Sequence, residues 1–318
     1  MRLGFAVKVL GQPDLRPNDS RRWQNGPHLS VSLAYVRDIL VYLRKLNIRM
    51  YRLSSELAPY ITHPDLPQFH GQIEECQAEL EAIGEQAREA DVRLSFHPGA
   101  HVVLNSPDQT IVSRSVADLS AQALMLDLMG ADQRAVVVVH VGGVYEDKPA
   151  AMERFVAAWH TLPERVQARL VLENDERSFS VEDIHHIHRR IGIRLVFDYL
   201  HHVNNNPANL TIREAAAMCL NTWPAATTPK IHFSSPRTEM RVTERRQPNG
   251  RPQQVLKPPL WTQHADFINP WEFIAFLDQT AELRDFDVML EVKAKDLALL
   301  RLREDLKRFA PAYGNRMW

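Results

Sequence analysis

The stretch "IRLVFDYLHH" at 193–202 is a short, continuous apolar run that ends in an aspartate and two histidines. Its length and its β-branched and aromatic residues predict a strand that is buried on both faces. Strands of this kind belong to parallel sheets, whose two faces are covered by helices. The stretch therefore predicts an α/β fold, and it raises the question of why polar, metal-binding residues follow directly on a buried strand.

Seven further runs of this kind divide the chain, at 1–7, 48–55, 92–99, 135–143, 169–176, 230–235 and 286–295. Segments with helical spacing of apolar residues lie between them, at 30–47, 73–91, 115–131 and 152–167. Eight alternating strands and helices predict a (β/α)8 TIM barrel that forms a single domain over 1–318. The same alternation permits an open doubly wound sheet, but no GxGxxG follows the first strand to favour its dinucleotide-binding form.

The composition narrows the class of protein. The formal net charge is -1, so the chain does not hold nucleic acid by its total charge, and any such partner must meet a local basic patch. Its two cysteines, Cys76 and Cys219, are far apart in sequence, which argues against a disulfide framework or a cysteine zinc site. The sequence has neither a signal-peptide pattern nor an apolar run long enough to span a bilayer. We expect a cytoplasmic, monomeric protein without a membrane partner.

Polar residues recur where the predicted strands end. The site of a (β/α)8 barrel lies at the carboxyl ends of its strands, so these residues should converge at one mouth. The residues at strand ends are His97, His140, Glu173, Asp198, His201, Lys230, His232 and Glu291, and the loop residues His63 and His264 could reach the same mouth.

Imidazole and carboxylate groups without a thiolate suit zinc, manganese, magnesium or another divalent metal. A single histidine is more often structural than a ligand, but a set of this size at one mouth predicts two or three ions. Glu173 is the best candidate to bridge ions about 3.5–4 Å apart, a spacing that serves phosphodiester hydrolysis. By contrast, His185, His186 and His188 lie on a charged helix at 180–192, which we interpret as a solvated face.

Two segments, at 10–28 and 235–259, are rich in Pro, Asn, Gln and Arg and are predicted to be long basic loops. The second is an insertion after the seventh strand, and its arginines are candidates for contacts with phosphate groups. These candidates are Arg237, Arg241, Arg245, Arg246 and Arg251.

Six motifs together resemble those of the bacterial and fungal UV damage endonucleases. In order they are "SFHPGAH" at 95–101, "VVHVGG" at 138–143, "LENDER" at 172–177, "FDYLHH" at 197–202, "PKIHFSS" at 229–235 and "VMLEVKAKD" at 288–296. The resemblance runs from the amino terminus to Asp296, nearly the whole chain.

The resemblance implies a metal-dependent barrel related to endonucleases of the endonuclease IV type. Such an enzyme nicks damaged double-stranded DNA immediately 5′ of cyclobutane dimers and 6-4 photoproducts, and at some abasic sites. It uses about three divalent ions, most often manganese, with zinc, magnesium and cobalt as alternatives. The implied ligands are His63, His97, His140, Glu173, Asp198, His201, His232, His264 and Glu291. Lys230 matches a lysine that can be carboxylated, and Lys230 and Glu173 are the expected catalytic residues.

The chain departs from this pattern where the family probes the lesion. Ala100 and His101 stand where the family has a Gln-aromatic pair, and Phe5 replaces a tyrosine. His101, Phe5 and Trp23 of the first loop are the remaining candidates for lesion contacts.

Two other functions stay open at this point. A sugar isomerase or epimerase of the same architecture also places divalent metal at the barrel mouth, although it relies mainly on carboxylates. A non-catalytic lesion-binding protein could use metals only to support its fold.

Overall fold

The computed structural model describes residues 1–247 and 250–317. The strands are β1 Leu3–Ala6, β2 Met50–Arg52, β3 Arg93–Phe96, β4 Val136–His140, β5 Leu170–Glu173, β6 Arg194–Val196, β7 Lys230–Phe233, β8 Pro236–Arg237, β9 Arg241–Arg246, β10 Pro252–Lys257, β11 Leu260–His264 and β12 Asp287–Leu290. The helices are α1 Leu29–Lys45, α2 Gln72–Glu75, α3 Gln77–Glu89, α4 Gln109–Leu128, α5 Lys148–Trp159, α6 Glu164–Arg169, α7 Val181–Ile191, α8 Tyr199–Asn204, α9 Ile212–Leu220, α10 Pro270–Thr280, α11 Lys295–Phe309 and α12 Pro311–Gly314. Short 3-10 turns occupy Trp23–Asn25 and Pro67–Phe69.

Eight strands form one parallel sheet in the order β6-β5-β4-β3-β2-β1-β12-β7. The two ends of this sheet meet beyond β6, where Asp198 and His232 form a single parallel bridge and His232 N donates to Phe197 O at 2.9 Å. The predicted (β/α)8 barrel is therefore confirmed as a nearly closed barrel. Two predicted ligands, Asp198 and His232, lie at its closure point.

Side chains of each barrel strand alternate between the helices and the barrel interior, as β geometry requires. On β4, Val137 and Val139 pack into the main core with the helices, whereas Val136 and Val138 pack inside the barrel against Trp223. His140 comes two residues after Val138 and continues the inward series. The polar residues at the strand ends thus extend the interior of the barrel upward to its mouth.

The first loop, 10–28, has no regular structure beyond one 3-10 turn, as predicted. Asp19, which is 3% exposed, fixes it: its carboxylate accepts hydrogen bonds from Arg21 Nη2 at 2.6 Å and from His28 N at 3.0 Å. His28 in turn caps α1 by accepting a hydrogen bond from Ser30 N. The loop is therefore tied to the start of the first helix.

The insertion at 235–259 is not the loop that its composition predicts. β9 and β10 pair antiparallel from Arg241↔Lys257 to Arg246↔Pro252, and β8 pairs with β11. The prediction failed because these short strands are largely exposed and bury no core face, so their sequence lacks the apolar pattern by which strands are recognised. Pro248 and Asn249, at the tip of the hairpin, lie outside the described residues. We call β9 and β10 together the ribbon.

No helix within the described ranges is both long enough and apolar enough to cross a bilayer.

Candidate metal centre

Glu173 lies at the centre of a cluster of histidines at the barrel mouth. It ends β5 fully buried, and its Oε1 is 2.7 Å from His232 Nδ1. Its Oε2 is 3.1 Å from His97 Nε2 and 3.6 Å from His140 Nε2. One carboxylate thus faces residues of β4 and β7 and the residue that follows β3.

Glu291 and Asp198 complete the cluster on its other side. Glu291 Oε1 lies 3.2 Å from His232 Nδ1 and forms an ion pair with Arg52. Asp198 precedes α8 as its N-cap and accepts a hydrogen bond from His201 N at 2.8 Å. The turn that begins α8 brings His201 Nδ1 to 3.7 Å from Glu173 Oε1.

Hydrogen bonds to backbone carbonyls fix the tautomers of three histidines. Because a carbonyl oxygen can only accept, His97 Nδ1 must donate to Pro98 O at 3.2 Å and His201 Nδ1 to Asn174 O at 2.9 Å. His264 Nδ1 donates in the same way to Glu291 O. In its neutral form each ring therefore presents the lone pair of its Nε2, as a metal ligand held by an outer hydrogen bond does. For His201, the charges of Asp198, Glu173 and Glu291 outweigh burial and raise the pKa to about 9, so a metal ion must displace a proton from this ring.

These donors fit divalent metal ions. A lone-pair nitrogen of His97 faces a carboxylate oxygen of Glu173, an arrangement that a cation between them would stabilise. Asp198 Oδ2 and His232 Nε2 are fully buried without a hydrogen-bond partner among the described residues. Ligand atoms lie within 4.8 Å of one another in three groups: His97, His232 and Glu291; His97, His140 and Glu173; Glu173, Asp198, His232 and Glu291. Several residues belong to more than one of these groups, as is expected where one residue binds two neighbouring ions.

The buried charged groups of the cluster shift one another's pKa values. Burial opposes ionisation of Glu173, but His232 and His140 outweigh it and hold the pKa of Glu173 well below its ordinary value. Burial, with Glu173 and Glu291 nearby, raises the pKa of Asp198 well above its ordinary value. Burial also lowers the pKa of His232 to about 4, so this ring is neutral and able to bind a metal.

Lys230 lies on β7 inside the barrel, fully buried below the cluster. Its Nζ is 3.1 Å from Ser95 Oγ. Burial, together with Arg52 and Arg93, lowers its pKa well below the ordinary value. Burial at this position therefore disfavours the ammonium form of the side chain.

His63 is the one predicted ligand that the structure leaves apart from this cluster. It is exposed, its Nδ1 accepts a hydrogen bond from Asp65 N, and its carbonyl oxygen accepts one from His70 Nε2, so these contacts stay within its own loop. It lines a cleft of about 410 Å³ that it shares with His101 and Arg21. The loop after β2 thus directs His63 toward the first loop.

The predicted lesion-contact residues divide by exposure. Phe5 is fully buried in the core, with its ring centroid 5.4 Å from that of Tyr51, so it does not face DNA. Ala100 and His101 are exposed at the mouth, where His101 Nε2 lies 3.2 Å from Asp118 Oδ2. Trp23 is 47% exposed on the first loop.

The predicted DNA-contact arginines also differ from one another. Arg237 is 4% exposed beneath the insertion and donates to Pro258 O at 3.2 Å, which corrects its expected contact with phosphate. Arg241 pairs with Glu239 and Asp266. Arg245, Arg246 and Arg251 are exposed on the ribbon and its turn.

Arg52 was missed by the analysis of strand ends. It ends β2 in the same way that His140 ends β4, and it pairs with Glu291 inside the mouth. The signal was present in the sequence, because a charged residue closes an otherwise apolar strand. Asn174 was missed too, and it donates to Asp198 O at 3.1 Å and accepts from Asp198 N at 2.9 Å.

Known proteins resemble this chain over most of its length. A model of the family described as UV-endonuclease UvdE matches residues 29–313. The UV DNA damage endonuclease of Bacillus velezensis is 32% identical over 322 residues, which cover 96% of this chain and 93% of that protein. The crystal structure of SacUVDE matches with a TM-score of 0.78 and 28% identity over 97% of this chain and 98% of that one.

Enzymes of sugar metabolism share the fold alone. The 3-keto-D-glucoside 4-epimerase YcjR from E. coli matches with a TM-score of 0.58 at 9% identity, over 99% of both chains. A similarity at this level of identity shows a shared barrel fold but no shared reaction. The extent of the family match and the relative in Bacillus velezensis decide the assignment, and the chain belongs to the UV-endonuclease UvdE family.

Proposed function

We propose that this member of the family is a metal-dependent endonuclease that nicks the damaged strand immediately 5′ of cyclobutane dimers and 6-4 photoproducts. Abasic sites are proposed as a further substrate, and the products are a 3′-hydroxyl and a 5′-phosphate. One observation carries the proposal: three buried carboxylates and a set of histidines converge at the barrel mouth with lone pairs left without partners.

About three divalent ions, most often manganese, would be held by His97, His140, Glu173, Asp198, His201, His232, His264 and Glu291. When bound, such ions supply Lewis acidity to a phosphoryl oxygen and lower the pKa of a water. Glu173 approaches His97, His140 and His232 with its two oxygens and is the best candidate to bridge two ions. His63 could bind a metal ion only if its loop turned inward, so we assign it no more than a ligand position at the rim of the site.

The other residues of the mouth position the substrate and balance charge. Arg52, which is paired with Glu291, is the cation best placed to offset negative charge that develops on the departing 3′ oxygen. Lys230 is fully buried, and its Nζ contacts Ser95 Oγ. We therefore assign it a role in supporting the metal ligands from inside the barrel, either as an amine or as a carboxylated side chain.

A cavity of about 390 Å³ opens beside His97 and His140 and is lined by Ala100 and Arg177. It offers room for nucleotides of the damaged strand next to the ions. Exposed arginines of the ribbon would hold the DNA backbone without sequence preference. Lesion choice would then follow from the lower cost of kinking and unstacking a damaged step.

The test is an incision assay on a duplex with one thymine dimer. We expect a single cut immediately 5′ of the dimer with manganese and none with chelator, on a gel that resolves single nucleotides. An undamaged duplex of the same sequence is the control. Absence of metal-dependent incision would refute the proposal, and activity on free sugars instead would favour an isomerase or epimerase.

A further inference from the structure

Two lysines lie at the barrel mouth next to the metal cluster, where β1 and β12 end. Lys8 comes two residues after β1, and Lys295 begins α11 shortly after β12. In the barrel sheet β1 lies between β12 and β2, so both lysines stand beside Arg52 at the end of β2 and Glu291 at the end of β12. We call Lys8 and Lys295 the lysine pair.

The backbone adopts the left-handed region at both segments. Val7 has a φ of 65° and Lys295 has a φ of 51°. This conformation is uncommon for residues other than glycine and is a clear outlier for a β-branched valine. Hydrogen bonds fix Val7, because its N–H donates to Arg52 O at 2.9 Å and its carbonyl oxygen accepts from the Tyr51 hydroxyl. Backbone strain of this kind persists only where the surrounding structure imposes it, and it is concentrated at binding and catalytic sites.

Asp296 ties the two segments together. Its side chain is fully buried, and its carboxylate accepts hydrogen bonds from Leu10 N at 2.7 Å, from Gly11 N at 2.9 Å and from the Tyr42 hydroxyl at 2.7 Å. Asp296 follows directly on one lysine of the pair, and the two amides come shortly after the other. The segments that carry the lysine pair are therefore joined at one buried point, which fixes the distance between them.

The positive charge of the lysine pair is not balanced by its neighbours. Neither ammonium group forms a hydrogen bond or an ion pair with any residue in 1–247 or 250–317. Glu291, a nearby carboxylate, is already paired with Arg52. Burial lowers the pKa of Lys295, and the charges of Arg52 and Lys8 lower it further against the opposing effect of Glu291, so these groups lie close together. A group of cations at an open mouth attracts an anion.

We propose that the lysine pair binds one phosphate of the nicked strand, next to the phosphate that is cut. The proposal rests on the proposed function, because it requires damaged DNA over the metal ligands. Lys8 is exposed and Lys295 is half-buried, so a ligand at the mouth can reach both. With the neighbouring phosphate fixed beside Glu291, the strand would have one register over the metal ligands. Phosphate contacts give position without reading sequence, as a cut at a set distance from a lesion requires.

The test combines protein variants with DNA variants. Binding of a thymine-dimer duplex is measured in manganese with the background substitution Glu173→Gln, which slows cutting. We expect Lys295→Met to weaken binding by about 10-fold, the loss of one charge-assisted contact, and Lys295→Arg to restore most of the affinity. Lys8→Met should have a similar effect at an exposed position where the fold is not at risk. Lys307→Met is the matched control, because Lys307 is exposed in the last turn of α11, at the opposite end of the helix from Lys295.

The titrations are repeated with two further duplexes, in which the phosphate on one side or the other of the scissile phosphate is an uncharged methylphosphonate. If the lysine pair binds one of these phosphates, the effect of Lys295→Met and of Lys8→Met should disappear in at least one of the two duplexes. An effect that persists in both would overturn the proposal, since the lysines would then act only through general charge. Affinities equal to that of the control in the unmodified duplex would overturn it as well. The proposed function is tested separately by incision with the unsubstituted protein, so normal incision without these effects would refute the phosphate site alone.

Discussion

At the scale of the residue, Glu173 is the group on which the mouth depends. It approaches His232, His97 and His140 with its two oxygens, and it is completely buried. A carboxylate in this position offers two anionic oxygens to neighbouring cations, whereas an amide offers one weaker neutral oxygen. The loss of its charge should therefore affect chemistry far more than shape.

We expect Glu173→Gln to reduce dimer incision by at least about 100-fold, the scale of a lost interaction at a metal site. Binding of the dimer duplex should be retained, since the backbone contacts lie elsewhere. Single-turnover incision and a binding titration measure the two effects. Glu153→Gln, on an exposed ion pair with Arg190, is the control and should leave both unchanged. Full incision by Glu173→Gln would count against a bridging role.

Asp19 gives a residue-scale prediction that is independent of metal. Its side-chain hydrogen bond with Arg21, together with hydrogen bonds from the backbone of His28 and Arg21, outweighs burial and lowers its pKa. A lowered pKa in the folded state contributes stability above the pKa of the unfolded chain, about 3.9, and this is lost as the pH falls through the folded value. We expect Asp19→Asn to reduce the free energy of unfolding by about 1.5 kcal/mol at neutral pH.

Chemical denaturation of chelated protein measures this effect. The difference between Asp19→Asn and the unsubstituted chain should be constant near neutral pH and should shrink below about pH 4. Asp14→Asn, on an exposed position of the same loop, should cause little change at either pH. A difference that persists undiminished in acid would mean that the charge of Asp19 does not stabilise the loop.

The two-residue period of the strands explains how much of the site the sequence could predict. His140 and Glu173 continue the inward series of Val138 and Val171, and His97 and His232 continue that of Ser95 and Lys230, so the position of a strand end was enough to find them. The same two-residue period in β1 puts Phe5 on the same side as Leu3, facing the helices, and the structure places both residues in the core between the barrel and the helices. His63 lies in a loop, where no period constrains direction, and its position could not be read from spacing.

At the scale of the element, the ribbon has two chemically different faces. Arg241, Thr243 and Arg245 share one face with Lys257 and Val255, because paired residues of antiparallel strands point to the same side. The other face carries Val242, Glu244 and Arg246 with Leu256. The first face holds Arg245 and Lys257 without an acidic residue, while its third cation, Arg241, is paired with Glu239 and Asp266 at the base of the insertion, so this face is the better candidate to meet phosphate through Arg245 and Lys257. Composition predicted the charge of this segment but not its faces, which depend on strand register.

Single substitutions on the two faces test this interpretation. We expect Arg245→Ser to reduce the slope of log affinity against log salt concentration by about 0.9, the loss of one phosphate contact. Arg246→Ser removes the same charge from the opposite face and should change the slope less. Arg37→Ser, on the exposed side of α1, controls for net charge. Equal slopes for all three variants would exclude the ribbon as a phosphate-binding element.

At the scale of the whole molecule, the two edges of the barrel sheet meet at the candidate metal centre. β6 and β7 are joined by the bridge between Asp198 and His232, and both residues belong to the ligand cluster. Glu173, Asp198 and Glu291 also place three buried carboxylates close together in the folded chain. Cations at this position would relieve their repulsion and link the two edges of the sheet, so metal binding should stabilise the fold as a whole.

Thermal unfolding with manganese and with chelator measures this coupling. An ion that binds only the folded chain at about 100 times its Kd adds about 2.7 kcal/mol per site, which raises the Tm of a chain of this size by roughly 5 °C. We expect at least that increase for the unsubstituted protein, and a much smaller one for Glu173→Gln, because its ligand set is incomplete. Glu153→Gln should keep the full increase. The increase should also decline on acidification, since protons compete with metal for imidazole and carboxylate ligands. An identical Tm in manganese and in chelator would mean that no ion bound by this cluster stabilises the folded state. The bridge between Asp198 and His232 would then join the two edges of the sheet without help from a metal ion.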